Sequence, residues 1–126
     1  MEIEERLKRL VKLLKKLEGG WIFVEGKKDK EALEKLGLRD ILTISGNLRL
    51  SVTRLSGVKA EKVFVLTDLD RRGDELALRA RDELEACSIR ADLEMRKDLA
   101  HMLRIRNFED AKRAYDRLKQ EGENNG

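Results

Sequence analysis

Several residue types are scarce or absent in this chain of 126 residues. There is no proline and only one histidine, one cysteine and one tryptophan, and aromatic residues make up 4% of the chain. The lone Cys87 excludes an intramolecular disulfide framework and a zinc site built from cysteines, and its place on an apolar helical face predicts a buried thiol. His101 has no second histidine or cysteine at ligand spacing, which indicates a surface or packing role.

Long apolar runs are missing as well. No segment approaches the roughly 20 apolar residues that a membrane-spanning helix requires. The N-terminal segment is charged and periodic, unlike a secretory leader. These absences predict a cytoplasmic protein without a membrane partner.

Charge, by contrast, is abundant. Charged residues form 42% of the chain, yet 28 basic and 25 acidic side chains leave a net charge of only +3. A charge-rich surface of mixed sign is typical of a thermophile, and the small net charge does not by itself identify a partner.

Apolar periodicity alternates between helical and extended patterns along the chain. The length and the pattern predict a single domain over residues 1–126. Its predicted parts are an amphipathic helix (1–19), an α/β core (20–96), a C-terminal helical extension (97–121) that Asn107 can cap, and a frayed tail (122–126). The apolar stripe of the first helix most simply packs on the sheet, with a dimer contact as the alternative.

The core predicts a three-layer α/β/α fold with a four-stranded parallel sheet, of Rossmann-like type. The segments 21–24 and 63–66 are apolar throughout, so we expect them to be central strands buried on both faces. The segment 41–44 and the alternating segment 89–95 then lie outside them, which gives the strand order 2-1-3-4. Ligands of such sheets bind where the winding reverses, here between the first and third strands.

Carboxylates follow both central strands. Asp68 and Asp70 leave the third strand, and Glu25 leaves the first. Acids in this arrangement suit Mg²⁺ or Mn²⁺, which takes one or two carboxylates with water and phosphate oxygens, and Glu25 could be a further ligand or a general acid/base. Gly26 and Gly73 would let a phosphate approach the backbone. The alternative interpretation is that the aspartates only cap the next helix, and the upstream glutamate favours a site.

The segments 21–29 (WIFVEGKKD) and 67–77 (TDLDRRGDELA) resemble the two motifs of the Toprim domain, which occurs in primases, topoisomerases and nucleases, including the small ribonuclease that matures 5S ribosomal RNA. The resemblance implies that Glu25 is the acid/base and that Asp68 and Asp70 form the metal-binding DxD. Asp29 matches an additional acid of primase-like members, although a carboxylate in a first helical turn is also stabilised by the helix dipole alone. Gly46 falls where the family has a glycine after its second strand.

The resemblance covers about residues 20–96, without a zinc module, an ATPase domain or a plausible topoisomerase tyrosine, since the only tyrosine is Tyr115. A small stand-alone Toprim protein is therefore the closest interpretation.

Basic residues follow every predicted strand. A positive rim around an acidic centre suits a nucleic-acid backbone, although 28 basic residues would place one in most loops by chance. The rim residues are Lys27, Lys28, Arg49, Arg71 and Arg72, with Arg96 and Lys97 after the fourth strand.

Two functions follow from these features. The first is a Mg²⁺- or Mn²⁺-dependent enzyme acting on nucleic-acid phosphodiesters, as a nuclease or as an RNA- or DNA-processing factor. The alternative is a non-catalytic Toprim module that binds nucleic acid or protein. A phospho-acceptor receiver domain fits less well, because it needs a fifth strand with a lysine and none follows Met95. RNA or DNA as substrate, a protein partner, and a monomeric or homodimeric state stay open.

Overall fold

Six helices and four strands alternate in the computed structural model, which describes residues 1–125. The final Gly126 lies outside the described residues. The elements are α1 (Ile3–Leu17), β1 (Trp21–Val24), α2 (Lys27–Glu34), β2 (Ile41–Thr43), α3 (Leu48–Gly57), β3 (Lys62–Leu66), α4 (Arg71–Ala86), β4 (Arg90–Asp92), α5 (Glu94–Leu103), a 3₁₀ turn (Phe108–Asp110) and α6 (Ala111–Asn125).

The four strands form one parallel sheet in the order β2-β1-β3-β4. Ile22 of β1 pairs with Ile41 on one side and with Phe64 on the other, so β1 and β3 are the central strands. The predicted strand order is confirmed. The winding reverses between β1 and β3, and the carboxyl ends of these two strands lie side by side.

Apolar side chains alternate between the two faces of the sheet and build a separate core on each. One core joins Ile22 and Phe64 to side chains of α1, α2, α5 and α6. The other joins Phe23 and Val65 to side chains of α3 and α4. Helices therefore cover both faces, and the predicted three-layer α/β/α architecture is confirmed.

The segment after β4 differs from the prediction. Strand β4 ends at Asp92, and Met95, predicted to lie in that strand, belongs to α5. The Asp92 carboxylate accepts hydrogen bonds from the backbone amides of Glu94 (3.0 Å) and Met95 (2.9 Å), so it starts a helix where strict alternation predicted a longer strand. Met95 and Leu99 are then buried against the sheet on one face of α5.

The C-terminal end also differs from the prediction. Helix α6 continues to Asn125, where a tail was predicted from residue 122. It packs against α1 so closely that a Cβ added at Gly122 would lie 2.9 Å from Leu7 Cδ1. Asn107 precedes the 3₁₀ turn and makes no side-chain capping bond. The prediction of a buried thiol at Cys87 is wrong: Cys87 is exposed and lies one residue beyond the end of α4.

Among residues 1–125, no helix has both the length and the apolar character that crossing a membrane requires.

Candidate functional site

Glu25 and Asp68 meet at the carboxyl ends of the two central strands. Val24 pairs with Leu66 in the register of β1 and β3, so the residues that follow leave the sheet at the same edge. The backbone amide of Asp68 donates a hydrogen bond to Oε2 of Glu25 over 2.7 Å. Both side chains are partly exposed. The structure thus places together the two acids that the sequence assigned to one site.

Asp29 lies beside this pair, in the first turn of α2. It is 8% exposed, and its Oδ2 accepts a hydrogen bond from the backbone amide of Gly26 over 2.9 Å. This bond caps the start of α2, which is the structural role considered for Asp29 from the sequence. Burial raises the pKa of Asp29, and the neighbouring carboxylates of Glu25 and Glu109 raise it further. Asp29 therefore adds negative charge to the site while it caps the helix.

Opposing effects act on the pKa of the Asp68 carboxyl group. Its Oδ1 accepts a hydrogen bond from the backbone amide of Phe108 over 2.9 Å, which favours the charged form. Burial acts more strongly in the opposite direction and, with Asp29 and Glu25 close by, raises the pKa of Asp68 to about 7. Crowded carboxylates in this state favour a bound proton or a bound cation.

Asp70 is engaged at the start of α4. It is exposed, and its Oδ1 accepts a hydrogen bond from the backbone amide of Gly73 over 2.7 Å at the start of α4. Gly73 is buried, and a Cβ added there would lie 1.8 Å from the carbonyl oxygen of Asp68. Close packing of the turn thus requires a glycine here, and the approach of a phosphate to Gly73 stays a prediction.

The predicted basic rim divides into three parts. Lys27, Lys28 and Arg72 line a cleft of about 400 Å³ together with the acids Glu25, Asp29, Asp68 and Glu109 and with Gly26. Gly46 and Arg49 line a separate depression of about 450 Å³, where Arg49 forms a salt bridge of 3.5 Å with Glu83. Arg71 pairs with Glu75 over 3.3 Å on the exposed side of α4.

Comparison with known proteins identifies the family. The model of the Toprim domain matches residues 21–96, which include both strand ends of the site. This chain belongs to the Toprim family. Toprim domains form a metal-binding family associated with nucleic acids. Glu25 and Asp68, and all four strands of the sheet, lie within the matched range.

Small archaeal proteins resemble this Toprim chain over most of its length. A UPF0292 protein from Pyrococcus horikoshii is 33% identical over 120 residues, which cover 94% of this chain and 90% of the relative. A UPF0292 protein from Thermococcus onnurineus is 37% identical over 108 residues, which cover 84% of this chain and 80% of the relative. Among solved structures, a putative protein from Aquifex aeolicus superposes with a TM-score of 0.68 at 27% identity, covering 79% of this chain and 95% of its own.

Arg96, the last residue of the Toprim match, plays a part that the sequence did not predict. The sequence predicts a place on the basic rim, and this prediction is wrong, because Arg96 lies on α5 and is 3% exposed. Its guanidinium donates hydrogen bonds to the carbonyl oxygens of Thr67 and Asp68, both over 2.6 Å, and to Asp74 Oδ1 over 2.5 Å. The side chain therefore holds the backbone that leads from β3 into the DxD.

Residues beyond the Toprim match also build the site. The amide of Leu69 donates to the carbonyl oxygen of Arg106 over 2.7 Å, and the amide of Phe108 donates to Asp68. Asn107 and Glu109 line the cleft itself. Sequence reasoning missed these residues, because their segment carries no motif and meets the DxD only through the tertiary fold.

The donor set of this Toprim site fits a hard divalent cation held by few protein ligands. Within residues 1–125, no three histidine, cysteine, aspartate or glutamate side chains form a preassembled metal cage. Mg²⁺ does not need one, since it binds through one or two carboxylates and keeps water and phosphate oxygens as its other ligands. Glu25 and Asp68 supply two adjacent carboxylates in the cleft that Lys27, Lys28 and Arg72 also line.

Proposed function

We propose that this Toprim protein is a Mg²⁺- or Mn²⁺-dependent enzyme that acts on nucleic-acid phosphodiesters, as a nuclease or as an RNA- or DNA-processing factor. The observation that carries the proposal is the bonded pair of Glu25 and Asp68 in a cleft that also presents Lys27, Lys28 and Arg72. Acidic groups suit the cation and basic groups suit the phosphate, so one cleft holds both requirements of phosphodiester chemistry.

Glu25 is the proposed general acid/base. The Asp68 amide holds one oxygen of its carboxylate, which orients the group so that it can take a proton from a nucleophile or return one to a leaving oxygen. Asp68 and Glu25 would hold the cation, with Asp70 on the same loop as Asp68 and with Asp29 in the same cleft. When bound, Mg²⁺ supplies a Lewis acid for a phosphoryl oxygen and lowers the pKa of a bound water.

The basic side chains have a different task. Lys27 and Lys28 at the start of α2 and Arg72 at the start of α4 lie on the two sides of the cleft. They would neutralise and orient the phosphate backbone, which positions a nucleic acid without reading its sequence. We therefore expect weak sequence preference.

A non-catalytic binding module is the second candidate, and one observation favours it. Asp29 and Asp70 are both engaged as helix caps, so two of the four proposed metal ligands already have structural roles. A binding module would need only the basic side chains and would tolerate loss of the Glu25 carboxylate.

Labelled single-stranded, duplex and structured RNA and DNA, incubated with Mn²⁺ or Mg²⁺, would separate the two functions. Wild type is compared with Glu25→Gln, and the matched control is Glu61→Gln, an exposed glutamate beside the opposite end of β3. Cleavage or another change of the backbone by wild type and the control, but not by Glu25→Gln, supports the enzyme. Binding without any chemical change to the backbone in all three proteins supports the module.

A further inference from the structure

A second groove, of about 530 Å³, lies outside the segment that matches the Toprim domain. It runs between α1, α6 and the loop that joins α5 to the 3₁₀ turn. Five arginines line it, against two acidic side chains, Asp110 and Glu121. The arginines are Arg6, Arg104, Arg106, Arg113 and Arg117; we call this surface the arginine groove.

Most of this positive charge has no acidic partner. Arg113 forms a salt bridge with Asp110. Within residues 1–125, Arg104, Arg106 and Arg117 form no salt bridge, and all three side chains are exposed. Some basic side chains elsewhere on the helices are paired with acids one turn away, as in Arg71–Glu75 and Lys112–Asp116. The groove therefore concentrates uncompensated charge.

Arg6 adds a buried positive charge to the groove. It is 7% exposed, and its Nη2 donates a hydrogen bond to the carbonyl oxygen of Met102 over 2.7 Å. Burial and the positive charge of Arg104 lower the pKa of Arg6, whereas Glu121 opposes that shift. Like charges brought together in this way repel each other, and an anion bound between them would relieve the repulsion.

The arginine groove adjoins the acidic cleft. Asn107 lines both, between Arg106 on one side and Phe108 on the other. The same loop is bonded to the DxD, since Arg106 accepts from the amide of Leu69 and Phe108 donates to Asp68. The two surfaces therefore share Asn107 as a lining residue, and a long enough chain of phosphates would contact both.

We propose that the arginine groove binds the phosphate backbone of the nucleic-acid strand that occupies the acidic cleft. The inference rests on the proposed function for its choice of ligand. Guanidinium groups bind phosphate oxygens through two parallel hydrogen bonds, and arginine is the side chain best suited to this contact. Because the groove offers arginines and no aromatic side chain, it would hold the backbone without stacking on bases. It would thus extend the binding surface into the C-terminal extension.

Binding of labelled single-stranded and duplex oligonucleotides, followed by fluorescence anisotropy in EDTA over a series of salt concentrations, tests this proposal. Wild type is compared with Arg104→Gln/Arg106→Gln, and the matched control is Arg54→Gln/Arg90→Gln, two exposed arginines on α3 and β4. We expect the groove variant to bind on the order of tenfold more weakly at low salt, with a shallower dependence of the binding constant on salt. The control variant should bind like wild type.

Equal affinity and equal salt dependence in wild type and the groove variant would overturn the proposal, as would equal losses in the groove variant and the control. Circular dichroism of both variants should show wild-type folding. If the spectrum of the groove variant is altered, the binding test is repeated with Arg117→Gln, a substitution on an exposed helical surface of the groove. The metal-free binding test keeps the two proposals apart. Weaker binding by the groove variant, with no cleavage by wild type, supports the groove proposal and contradicts the proposed enzyme. Cleavage by both wild type and the groove variant with the same KM supports the enzyme and contradicts the groove proposal.

Discussion

The backbone amide of Asp68 donates a hydrogen bond to the Glu25 carboxylate over 2.7 Å, and this contact joins two motifs that lie 43 residues apart in sequence. It orients Glu25 and also brings a second carboxylate, that of Asp68, against it. In the absence of a cation, this arrangement places like charges in a partly buried cleft. Several predictions depend on that repulsion and on the residues that maintain it.

The stability of the metal-free protein should fall as pH rises towards neutral. The pKa of Asp68 is raised from 3.8 to about 7 in the folded state, so the folded protein binds more protons than the unfolded chain between these values. The favourable contribution is complete below the unfolded pKa and is lost as pH rises through about 7. Urea unfolding in EDTA across this range measures the slope. Asp68→Asn should flatten it, and an equal slope in that variant would contradict the assignment to Asp68.

Asp68→Asn should also stabilise the metal-free protein at about pH 8. The amide oxygen can still accept from Phe108, while the negative charge beside Glu25 and Asp29 is removed. Because Asp68 is partly exposed, we expect a gain on the order of 1 kcal/mol in the free energy of unfolding. Asp98→Asn, at an exposed position of α5, is the control and should change little.

With Mg²⁺ or Mn²⁺ bound, wild type should become more stable than Asp68→Asn, which reverses the order expected without metal. A cation that binds only the folded protein raises its free energy of unfolding in proportion to the logarithm of its concentration. Thermal unfolding of wild type should shift upwards with added Mn²⁺, and the shift should be lost in Asp68→Asn and reduced in Glu25→Gln. An undiminished shift in Asp68→Asn would remove Asp68 from the metal site.

Substitutions at Asp70 can separate its cap of α4 from its proposed contact with the cation. Asparagine caps a helix about as well as aspartate, so Asp70→Asn should unfold like wild type, whereas Asp70→Ala should lose about 1 kcal/mol. If Asp70 also contacts the cation, Asp70→Asn alone should bind Mn²⁺ more weakly in calorimetry. Wild-type affinity in that variant would leave Asp70 with the cap as its role.

Arg96→Met should destabilise the protein by about 2–4 kcal/mol and weaken Mn²⁺ binding, because it removes the hydrogen bonds that the guanidinium donates to the carbonyl oxygens of Thr67 and Asp68. Asp74→Asn tests which bond matters. Its carboxylate is 63% exposed, so this variant should lose less than about 1 kcal/mol and keep its metal affinity. Equal effects of the two substitutions would show that the ion pair, and not support of the backbone, is decisive.

Gly73→Ala and Gly46→Ala should differ sharply. A Cβ at Gly73 meets the carbonyl oxygen of Asp68 at 1.8 Å, so the turn must move, and we expect a loss of several kcal/mol together with loss of metal binding. Nothing lies within 4 Å of a Cβ at Gly46. The second variant should therefore unfold within about 0.5 kcal/mol of wild type. Denaturant unfolding of both proteins provides the comparison.

Local patterns in the sequence predict most of the α/β core. The apolar runs at 21–24 and 63–66 predict central strands, and the carboxylates that follow them predict one shared edge of the sheet. Such signals are local, because burial on both faces removes polar residues from a strand and because parallel strands end at the same edge. The short-range pattern failed after β4, where the capping bonds of Asp92 start α5 against the alternation of 89–95.

By itself, the sequence determined the α/β/α fold, the strand order and the pair of acids at the switch between β1 and β3. Only the tertiary structure decided that Arg96 is buried beneath the DxD, that Asp70 and Gly73 serve the turn, and that Asn107 and Arg106 lie beside the cleft. The physical reason is the range of the interactions. Periodicity reports which face of an element is buried, whereas these roles depend on hydrogen bonds between residues far apart in the chain, which no local pattern records.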